Sequence, residues 1–415
     1  MLTQTESIPS GERTNQPSSA SRRLMSLDAL RGFDMFWIIG ADSLVYALNQ
    51  MSQTRPTAFL AYELDHSDWQ GMRFYDLIFP LFVFLAGVAL VFSLGKTLAT
   101  SGRARALQRV FVRSILLYAL GVFCYGGFAN SWPDIRLLGV LQRIALAYFF
   151  TGLFFCFFKP RVLVVICAGL LVGYWAAMTF VPFPDVRPTP QTQIIGRETG
   201  FTNVSQLNLA STHYIRGAFV KGVNLSNYVD QKYLPGYKWD GTWDPEGILS
   251  TIPAVGTCLL GVFAGLLMRD QKIKDHRKVL YLLSFGVLAV AVGWIWGLQF
   301  PVIKKIWTSS YVLVAGGYSA ILLGVFYQIV DVWKWQTWCR PFVWIGMNPL
   351  TLYLADNILG GYASLSPRLA GGNIKAFLDA HVAQGSGQLM ISVTGLVLAF
   401  WLAHFLYRRQ IFLRL

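Results

Sequence analysis

The stretch Tyr75-Asp-Leu-Ile-Phe-Pro-Leu-Phe-Val-Phe-Leu-Ala-Gly-Val-Ala-Leu-Val-Phe-Ser-Leu-Gly95 decides the fold of this chain. Apart from Asp76 near its start, it carries no charged residue. An α-helix needs about 20 apolar residues to cross the hydrocarbon core of a bilayer, where lipid offers no partner for open backbone groups. The stretch therefore predicts a transmembrane helix.

The composition extends this prediction to the whole chain. Hydrophobic residues make up 54% of the 415 residues and charged residues only 13%, which is about half the charged share of a soluble domain. The 14 Trp, 18 Tyr and 30 Phe residues suit the aromatic belts that anchor helices at both membrane surfaces. This composition excludes a large water-soluble globule and predicts an all-α, polytopic transmembrane bundle surrounded by a lipid bilayer.

Hydropathy and helix breakers divide the chain into about ten apolar segments of spanning length. The predicted segments are 27–49, 75–95, 110–128, 137–157, 162–182, 248–268, 279–299, 308–331, 341–360 and 386–407. We expect a single transmembrane domain over 24–415, preceded by a polar, disordered cytoplasmic tail at 1–23. Residues 183–247 form the longest stretch between two segments and predict an ordered cap on the extracytoplasmic face.

The distribution of positive charge predicts the orientation of these segments. With the N-terminus in the cytoplasm, the cytoplasmic stretches hold 20 of the 35 Lys and Arg residues and the outer stretches hold 13, six of them in 183–247. Short cytoplasmic loops are normally the ones enriched in Lys and Arg. Both termini are therefore predicted to be cytoplasmic and His66 extracytoplasmic. The same distribution explains the net charge of +14 by topology, and we expect no nucleic-acid partner.

Glycines in one segment predict close helix packing. Gly256, Gly261 and Gly265 all lie in 248–268. Small residues let the backbones of transmembrane helices approach one another. This contact could lie within one chain or between two chains, so a homodimer is possible.

A titratable imidazole lies between the first two segments, in Leu64-Asp-His-Ser-Asp-Trp-Gln-Gly71. A neutral imidazole can accept the proton of an amine or act as a nucleophile. We therefore predict His66 as a catalytic residue at one bilayer face, with Asp42 or Asp76 orienting the ring and stabilising its cation. The alternative is an interfacial histidine that only caps a helix or bonds a carboxylate.

Polar side chains inside the apolar segments form a second set of candidates. A charge at the bilayer centre costs roughly 3 kcal/mol on insertion scales, so such groups are expected to face a partner or a cavity. Asp28 and Arg31 can pair across one helical turn, and Arg143 needs a carboxylate or phosphate partner. The Asn348-Pro349 pair predicts a helix kink. The other members of this set are Asp34, Asp42, Gln142, Asp356 and Asn357.

The stretch Trp243-Asp-Pro-Glu-Gly-Ile248 has the pattern of a helix start. Asp244 would be the N-cap and Pro245 the first helical residue, with Glu246 at the positive end of the helix dipole. No comparable pattern predicts a metal site or a disulfide. The five cysteines show no CxxC spacing, and neither an HExxH pair nor a Gly-rich phosphate loop is present. We therefore expect no metal cofactor.

Six motifs, in order along the chain, carry a resemblance to a known family. They are Ser26-Leu-Asp-Ala-Leu-Arg-Gly32, His66-Ser-Asp-Trp-Gln-Gly71 running into Asp76-Leu-Ile-Phe-Pro-Leu-Phe-Val-Phe84 and Gly87, Leu138-Gly-Val-Leu-Gln-Arg143, Asp244-Pro-Glu-Gly-Ile-Leu249, Trp307-Thr-Ser-Ser-Tyr311 and Gly346-Met-Asn348. Together they resemble the heparan-α-glucosaminide N-acetyltransferase family over residues 24 to about 360.

The resemblance implies a transmembrane enzyme that takes acetyl-CoA from the cytosol and acetylates the amino group of a terminal glucosamine on the far side. The catalytic histidine of the family matches His66. The lysosomal members carry an extra lumenal domain and a first span that are not expected in this chain. It therefore resembles the shorter bacterial relatives associated with amino-sugar use and is expected in the bacterial inner membrane. The position of Asp42 is commonly Asn in the lysosomal enzymes.

This resemblance divides the remaining candidates between donor and acceptor. Cytoplasmic arginines among Arg103, Arg105, Arg109 and Arg113 would hold the acidic nucleotide of acetyl-CoA. The residues expected to contact the donor are Arg31, Arg105, Arg109, Gln142, Arg143 and Asn348. The residues expected to contact the amino sugar are Trp69, Asp244, Glu246 and Trp307. His66 could act as a base in a ternary complex or carry the acetyl group itself.

A proton-coupled amino-sugar transporter is the alternative function. A helix bundle with intramembrane Asp, Arg and Asn and a Pro-broken helix also fits a carrier, although the two halves of the chain show no inverted repeat. The two hypotheses differ in one geometric requirement. The acetyltransferase needs His66 at one end of a cavity that a thioester can enter from the opposite compartment.

Overall fold

Helices make up nearly all of the regular structure. The computed structural model describes residues 24–127, 129–187, 211–365, 368–369 and 373–413; the predicted tail at 1–23 and residues 188–210 of the predicted cap lie outside the described residues. The helices are α1 (Met25–Phe36), α2 (Asp42–Ser52), α3 (Arg55–Glu63), α4 (Phe74–Cys124), α5 (Val140–Phe157), α6 (Pro160–Phe180), α7 (Leu225–Tyr233), α8 (Thr251–Arg269), α9 (Asp275–Gly297), α10 (Ser309–Phe326), α11 (Arg340–Met347), α12 (Pro349–Leu359), α13 (Ile374–His381) and α14 (Ser386–Arg408). Two short strands, β1 (Phe183–Pro184) and β2 (Tyr214–Ile215), pair antiparallel.

Seven helices of the described residues are long and apolar enough to cross a membrane, which confirms the all-α, polytopic class. They correspond to eight of the predicted segments, because α4, with 51 residues, covers most of two of them. Non-helical backbone at Gly102 (φ 79°, ψ 178°) divides α4. Across this break Arg109 Nη1 donates to Thr97 Oγ1 at 3.2 Å. Since 12 residues of straight helix would span about 18 Å, the two halves of α4 fold back on each other.

The two remaining predicted segments are broken helices, so the prediction of continuous spans is wrong for them. In segment 27–49 a π-helical turn at Trp37–Ala41 separates α1 from α2, and Gly40 in this turn has a φ of 113°. In segment 341–360 the helix stops completely at Asn348, where a kink was predicted. Pro349 begins α12, because its missing N–H is not needed in the first turn of a helix.

Glycines hold α1 against α11 at close range. A Cβ atom on Gly32 would overlap the carbonyl of Phe342, and one on Gly346 would overlap the carbonyl of Asp28. These two glycines belong to the first and the last of the six sequence motifs. The motifs therefore mark a helix crossing as well as candidate chemistry.

The glycines of segment 248–268 pack within the chain. Gly261 and Gly265 of α8 lie against α4, and Gly256 lies against α6. The largest buried apolar cluster is built around this packing of α4 and α8, together with α10. The close contact that these glycines predicted is thus made inside one chain.

The loops contact one another in two groups, at opposite ends of the helices. Bonds of the first group, which we call the His66 face, join Trp69 Nε1 to Phe219 O (2.7 Å), Arg136 Nη2 to Asp244 Oδ1 (2.7 Å) and Lys305 Nζ to Asp240 Oδ2 (2.7 Å). Bonds of the second group, the Arg109 face, join Arg109 Nη1 to Thr97 Oγ1 (3.2 Å), Tyr327 Oη to Asp275 Oδ1 (2.8 Å) and Ser26 N to Asp331 Oδ2 (3.1 Å). This grouping agrees with the alternating direction of the predicted segments.

Candidate active site

Asp76, in the first turn of α4, fixes the ring of His66. His66 Nδ1 lies 2.9 Å from Asp76 Oδ1. The Asp76 side chain is fully buried, and its Oδ2 accepts the backbone N–H groups of Ser67 and Arg73, each at 3.1 Å. Such charge-assisted bonds favour the carboxylate anion, so Nδ1 of His66 donates to Asp76. Nε2 is then the nitrogen available for chemistry, and it has no hydrogen-bond partner among the described residues.

Lys304 is the third member of this cluster, and sequence reasoning missed it. Its Nζ atom lies 3.0 Å from His66 Nδ1 and 3.3 Å from Asp76 Oδ1, and its side chain is only 18% exposed. Burial lowers the pKa of the Lys304 ammonium, and the Asp76 carboxylate acts in the opposite direction. The sequence feature that could have pointed to Lys304 is its position in the short 298–308 loop, three residues before the Trp307 motif.

Tyr75 separates Asp42 from His66. The ring centroids of Tyr75 and His66 are 4.9 Å apart, and the Tyr75 hydroxyl interacts with the Asp42 carboxylate. Asp42 Oδ1 also accepts the backbone N–H of Ser43 at 2.8 Å. Of the two carboxylates that the sequence offered for orienting His66, Asp76 makes the contact. Asp42 lies behind Tyr75.

One cavity of about 580 Å³ extends from His66 to the arginines near the Arg109 face. Its His66 end is lined by His66, Tyr75, Glu246 and Lys304. Its opposite end is lined by Asp28, Arg31, Arg109 and Arg113, with Phe412 and Leu413. Between them, one face of α4 contributes residues at helical spacing, namely Ile78, Phe82, Leu85, Ala89 and Ser93. From Asp76 to Thr97, the partner of Arg109, α4 rises about 32 Å, which is close to the hydrocarbon thickness of a bilayer.

The arginine end of the cavity is rich in guanidinium groups. Arg31 Nη1 lies 3.6 Å from Asp28 Oδ1, which confirms the predicted pair. Arg109 and Arg113 line the same end, and planar guanidinium groups bind phosphate well. Arg105 does not line the cavity; it is exposed and donates to the side chain of Gln108 at 3.0 Å. The structure thus brings Arg31 and Arg109 together and leaves Arg105 outside.

A buried ion cluster supports the wall at the His66 end. Arg136 donates from Nε to Asp244 Oδ2 at 2.9 Å and from Nη2 to Asp244 Oδ1 and Glu246 Oε2, both at 2.7 Å. The predicted helix cap at Asp244 is wrong: α8 begins at Thr251, after Ser250 as N-cap. Asp244 instead accepts the Arg136 guanidinium, which sequence reasoning missed. Glu246 lines the cavity, whereas Asp244 does not.

Arg143 and Trp307 form a buried layer behind the cavity wall. The Arg143 guanidinium donates to Ser250 Oγ and lies 4.8 Å from the Trp307 ring centroid. Trp307 Nε1 donates to Thr257 Oγ1 at 3.0 Å. Of the two partners expected for Arg143, a carboxylate or a phosphate, the described residues supply no carboxylate contact. They supply a hydroxyl and an aromatic face, and the Nε and Nη1 atoms have no hydrogen-bond partner among these residues. Neither residue lines the cavity.

Three other predicted residues do not line the cavity. Gln142 is buried and donates from Nε2 to the Arg136 carbonyl at 3.4 Å. Trp69 bonds the cap through the Phe219 carbonyl. Asn348 is buried at the break between α11 and α12, and its amide has no hydrogen-bond partner among the described residues. Its neighbours on both sides in the sequence do line the cavity.

Comparison with known proteins points to one family. Residues 23–203 match the family model described as heparan-alpha-glucosaminide N-acetyltransferase, catalytic. The chain is 27% identical over 389 residues to heparan-alpha-glucosaminide N-acetyltransferase of Homo sapiens, an alignment covering 84% of this chain and 55% of that protein. It is 27% identical over 352 residues to the protein of the same name from Mus musculus, covering 74% and 51%. The chain spans about half the length of these curated relatives.

Proposed function

We propose that this chain, which belongs to the heparan-alpha-glucosaminide N-acetyltransferase family, is a transmembrane enzyme that transfers the acetyl group of acetyl-CoA to the amino group of a glucosamine-type sugar. The observation that carries this proposal is the cavity, which has His66 at one end and Arg31, Arg109 and Arg113 at the other. A transferase that acts across a membrane needs this connection between its reactive group and its donor site.

The arginine end suits the nucleotide of the donor. The phosphates of acetyl-CoA would pair with the guanidinium groups of Arg31, Arg109 and Arg113. The uncharged arm of the donor would follow the apolar face of α4 and bring the thioester to His66. The excess of Lys and Arg in the predicted cytoplasmic loops supports a cytosolic arginine end and an extracytoplasmic His66 end, in the bacterial inner membrane.

The His66 end suits acyl transfer to an amine. The acceptor, as the free amine, would attack the thioester carbon and give a proton to Nε2 of His66, and the imidazolium would pass this proton to the departing thiolate. In the alternative route, Nε2 attacks the thioester carbon and expels the thiolate; the amine then takes the acetyl group from Nε2, and the proton that the amine loses goes to the thiolate. Both routes require a neutral His66 with its proton on Nδ1, and Asp76 favours this tautomer.

Glu246 is the best-placed residue for the acceptor. Of the four residues predicted to contact the amino sugar, it is the one that lines the cavity. Its carboxylate would accept a hydrogen bond from the amino group of the sugar and hold it at the end of the cavity where His66 lies. Trp69, Asp244 and Trp307 would act by supporting the wall around it.

Turnover by purified protein in detergent tests this proposal, because a detergent micelle has no two compartments for transport. Labelled acetyl-CoA and glucosamine should give N-acetylglucosamine, and His66→Ala should lower the rate about 1,000-fold, within the usual range for loss of acid–base catalysis. His276→Ala, at an exposed histidine that does not line the cavity, is the matched control and should keep full activity. Sugar uptake into proteoliposomes without any acetylated product would contradict the proposal and support the transporter.

A further inference from the structure

One nitrogen atom of His66 has two neighbours with opposite requirements. Asp76 Oδ1, at 2.9 Å from Nδ1, can only accept a hydrogen bond from it. The Lys304 ammonium, at 3.0 Å from the same Nδ1, can only donate. A ring nitrogen carries either a proton or a lone pair, so it can satisfy one of these neighbours at a time. The choice decides which nitrogen of His66 is free to react.

The bonds of Asp76 decide this choice. Its Oδ2 is held by two backbone N–H groups, which leaves Oδ1 for His66 and for Lys304 at 3.3 Å. With Nδ1–H donating to Asp76, the Lys304 ammonium keeps an ion pair with the same carboxylate and makes no bond to the ring. With Nδ1 accepting from Lys304, the proton would sit on Nε2 and block both routes of acyl transfer.

The charges around His66 show what Lys304 adds. The negative groups near this cluster are Asp76 of α4, Asp42 of α2 behind Tyr75, Glu246 of the loop before α8, and Asp65, whose Oδ1 accepts the His66 backbone N–H at 2.8 Å. Asp65 is exposed, and its Oδ2 lies 3.4 Å from Arg73 Nη1. Glu246 is already paired with Arg136. The neighbouring cation, Lys305, is paired with Asp240 at 2.7 Å. Lys304 is therefore the cation that neutralises Asp76, and without it this carboxylate would draw a proton onto His66.

We propose that Lys304 is a positioning residue that keeps His66 neutral, with its proton on Nδ1 and its Nε2 lone pair facing the cavity. Lys304 neutralises Asp76 and repels a positive charge on the neighbouring ring. The repulsion also favours the second half of either route, since an imidazolium or acetyl-imidazolium would form beside an ammonium group. His66 then passes its proton to the thiolate; in the other route it passes its acetyl group to the amine, whose proton goes to the thiolate. In both cases the cluster regains its starting charge.

The pH–rate profile of Lys304→Gln tests this role, and as a rate measurement it rests on the proposed acetyltransferase function. Loss of the cation should move the midpoint of the acidic limb up by about one to two pH units, as expected for one charge at this distance in a partly buried site. Below both midpoints the rate should fall about 10- to 100-fold, and it should recover at high pH. Lys304→Arg keeps the charge and should keep the midpoint.

Lys305→Gln is the matched control, because it removes the adjacent cation from its own pair with Asp240 and should move the midpoint little. A purely structural role for Lys304 would lower the rate of Lys304→Gln by the same factor at every pH. That result, or an acidic limb unchanged from the wild type, would overturn the inference.

A measurement that does not use activity separates this inference from the proposed function. Nitrogen NMR of histidine-labelled protein in detergent reports protonation and tautomer, and the His66 signal can be identified among the five histidines by its loss in His66→Gln. We expect the Nδ1–H tautomer in the wild type and an imidazolium that persists to higher pH in Lys304→Gln. If the wild type transfers no acetyl group, the proposed function fails while the titration still decides the role of Lys304. If acetyl transfer requires His66 but the His66 signal titrates at the same pH in the wild type and in Lys304→Gln, the Lys304 inference alone fails.

Discussion

The two ends of the cavity are built differently. At the His66 end, Asp76, Lys304 and Glu246 are buried or nearly so and are held by partners at 2.7 to 3.3 Å. At the arginine end, Arg31 pairs with Asp28 at 3.6 Å, and Arg109 bonds a neutral hydroxyl. A site where bonds change needs groups that are fixed before the substrate arrives, whereas a site for a charged ligand can be completed by the ligand itself. We expect substitutions at the first end to affect stability and kcat, and substitutions at the second to affect KM.

The largest effect on stability should come from Arg136→Met at the His66 end. This change leaves the carboxylates of Asp244 and Glu246 buried without their cation, which should cost about 3–5 kcal/mol in the free energy of unfolding. Thermal denaturation in detergent would measure it. Arg187→Met is the control, since Arg187 also pairs with an aspartate but its side chain is 61% exposed. Such exposed pairs contribute about 0–1 kcal/mol. If Arg136→Met and Arg187→Met lost the same free energy of unfolding, the groups at the His66 end would not be held more firmly than an exposed ion pair.

Asp230 of α7, at the His66 end, should make the stability of the folded protein depend on pH. Burial raises the pKa of Asp230 from 3.8 to about 7, against the opposing bond that its Oδ1 accepts from the Ile248 N–H at 2.8 Å. A raised folded-state pKa means that the folded protein holds this proton more tightly than the unfolded chain. The stabilisation is complete below pH 4 and is lost as the pH rises through 7.

Asp230→Asn should remove this dependence, because the amide is neutral at every pH and keeps an oxygen to accept the Ile248 bond. Relative to the variant, the wild type should lose about 3 kcal/mol of stability between pH 5 and pH 8. Melting temperatures of both proteins at these two pH values measure the difference. Parallel curves would mean that Asp230 is already ionised at pH 5 in the folded protein.

The two ends also differ in how far the sequence predicts them. Hydropathy located the apolar segments, but it averages over about 20 residues and so concealed the helix break at Gly40. The Asn348-Pro349 pair predicted a kink, but not that the helix stops at Asn348. His66 and Asp76 were found because they are ten residues apart in one motif. Lys304 is 238 residues from His66, and Arg136 is 108 from Asp244, so no local pattern encodes these contacts. Asp244 fits a helix cap and an ion pair equally well, and only the fold decides between them.

The smallest expected effect, on the KM for acetyl-CoA, distinguishes the role of the arginine end from that of the His66 end most directly. Arg109→Gln removes a cavity-lining guanidinium and should raise the KM for acetyl-CoA about tenfold, equivalent to about 1.4 kcal/mol, while kcat stays within about twofold. Arg105→Gln removes an equal charge four residues away but outside the cavity, and should leave both constants unchanged. Raised salt should weaken donor binding in the wild type more than in Arg109→Gln, because screening acts on the removed ion pair. A fall in kcat at constant KM for Arg109→Gln would show that the arginines contribute to the chemical step, and the division of roles between the two ends would be wrong.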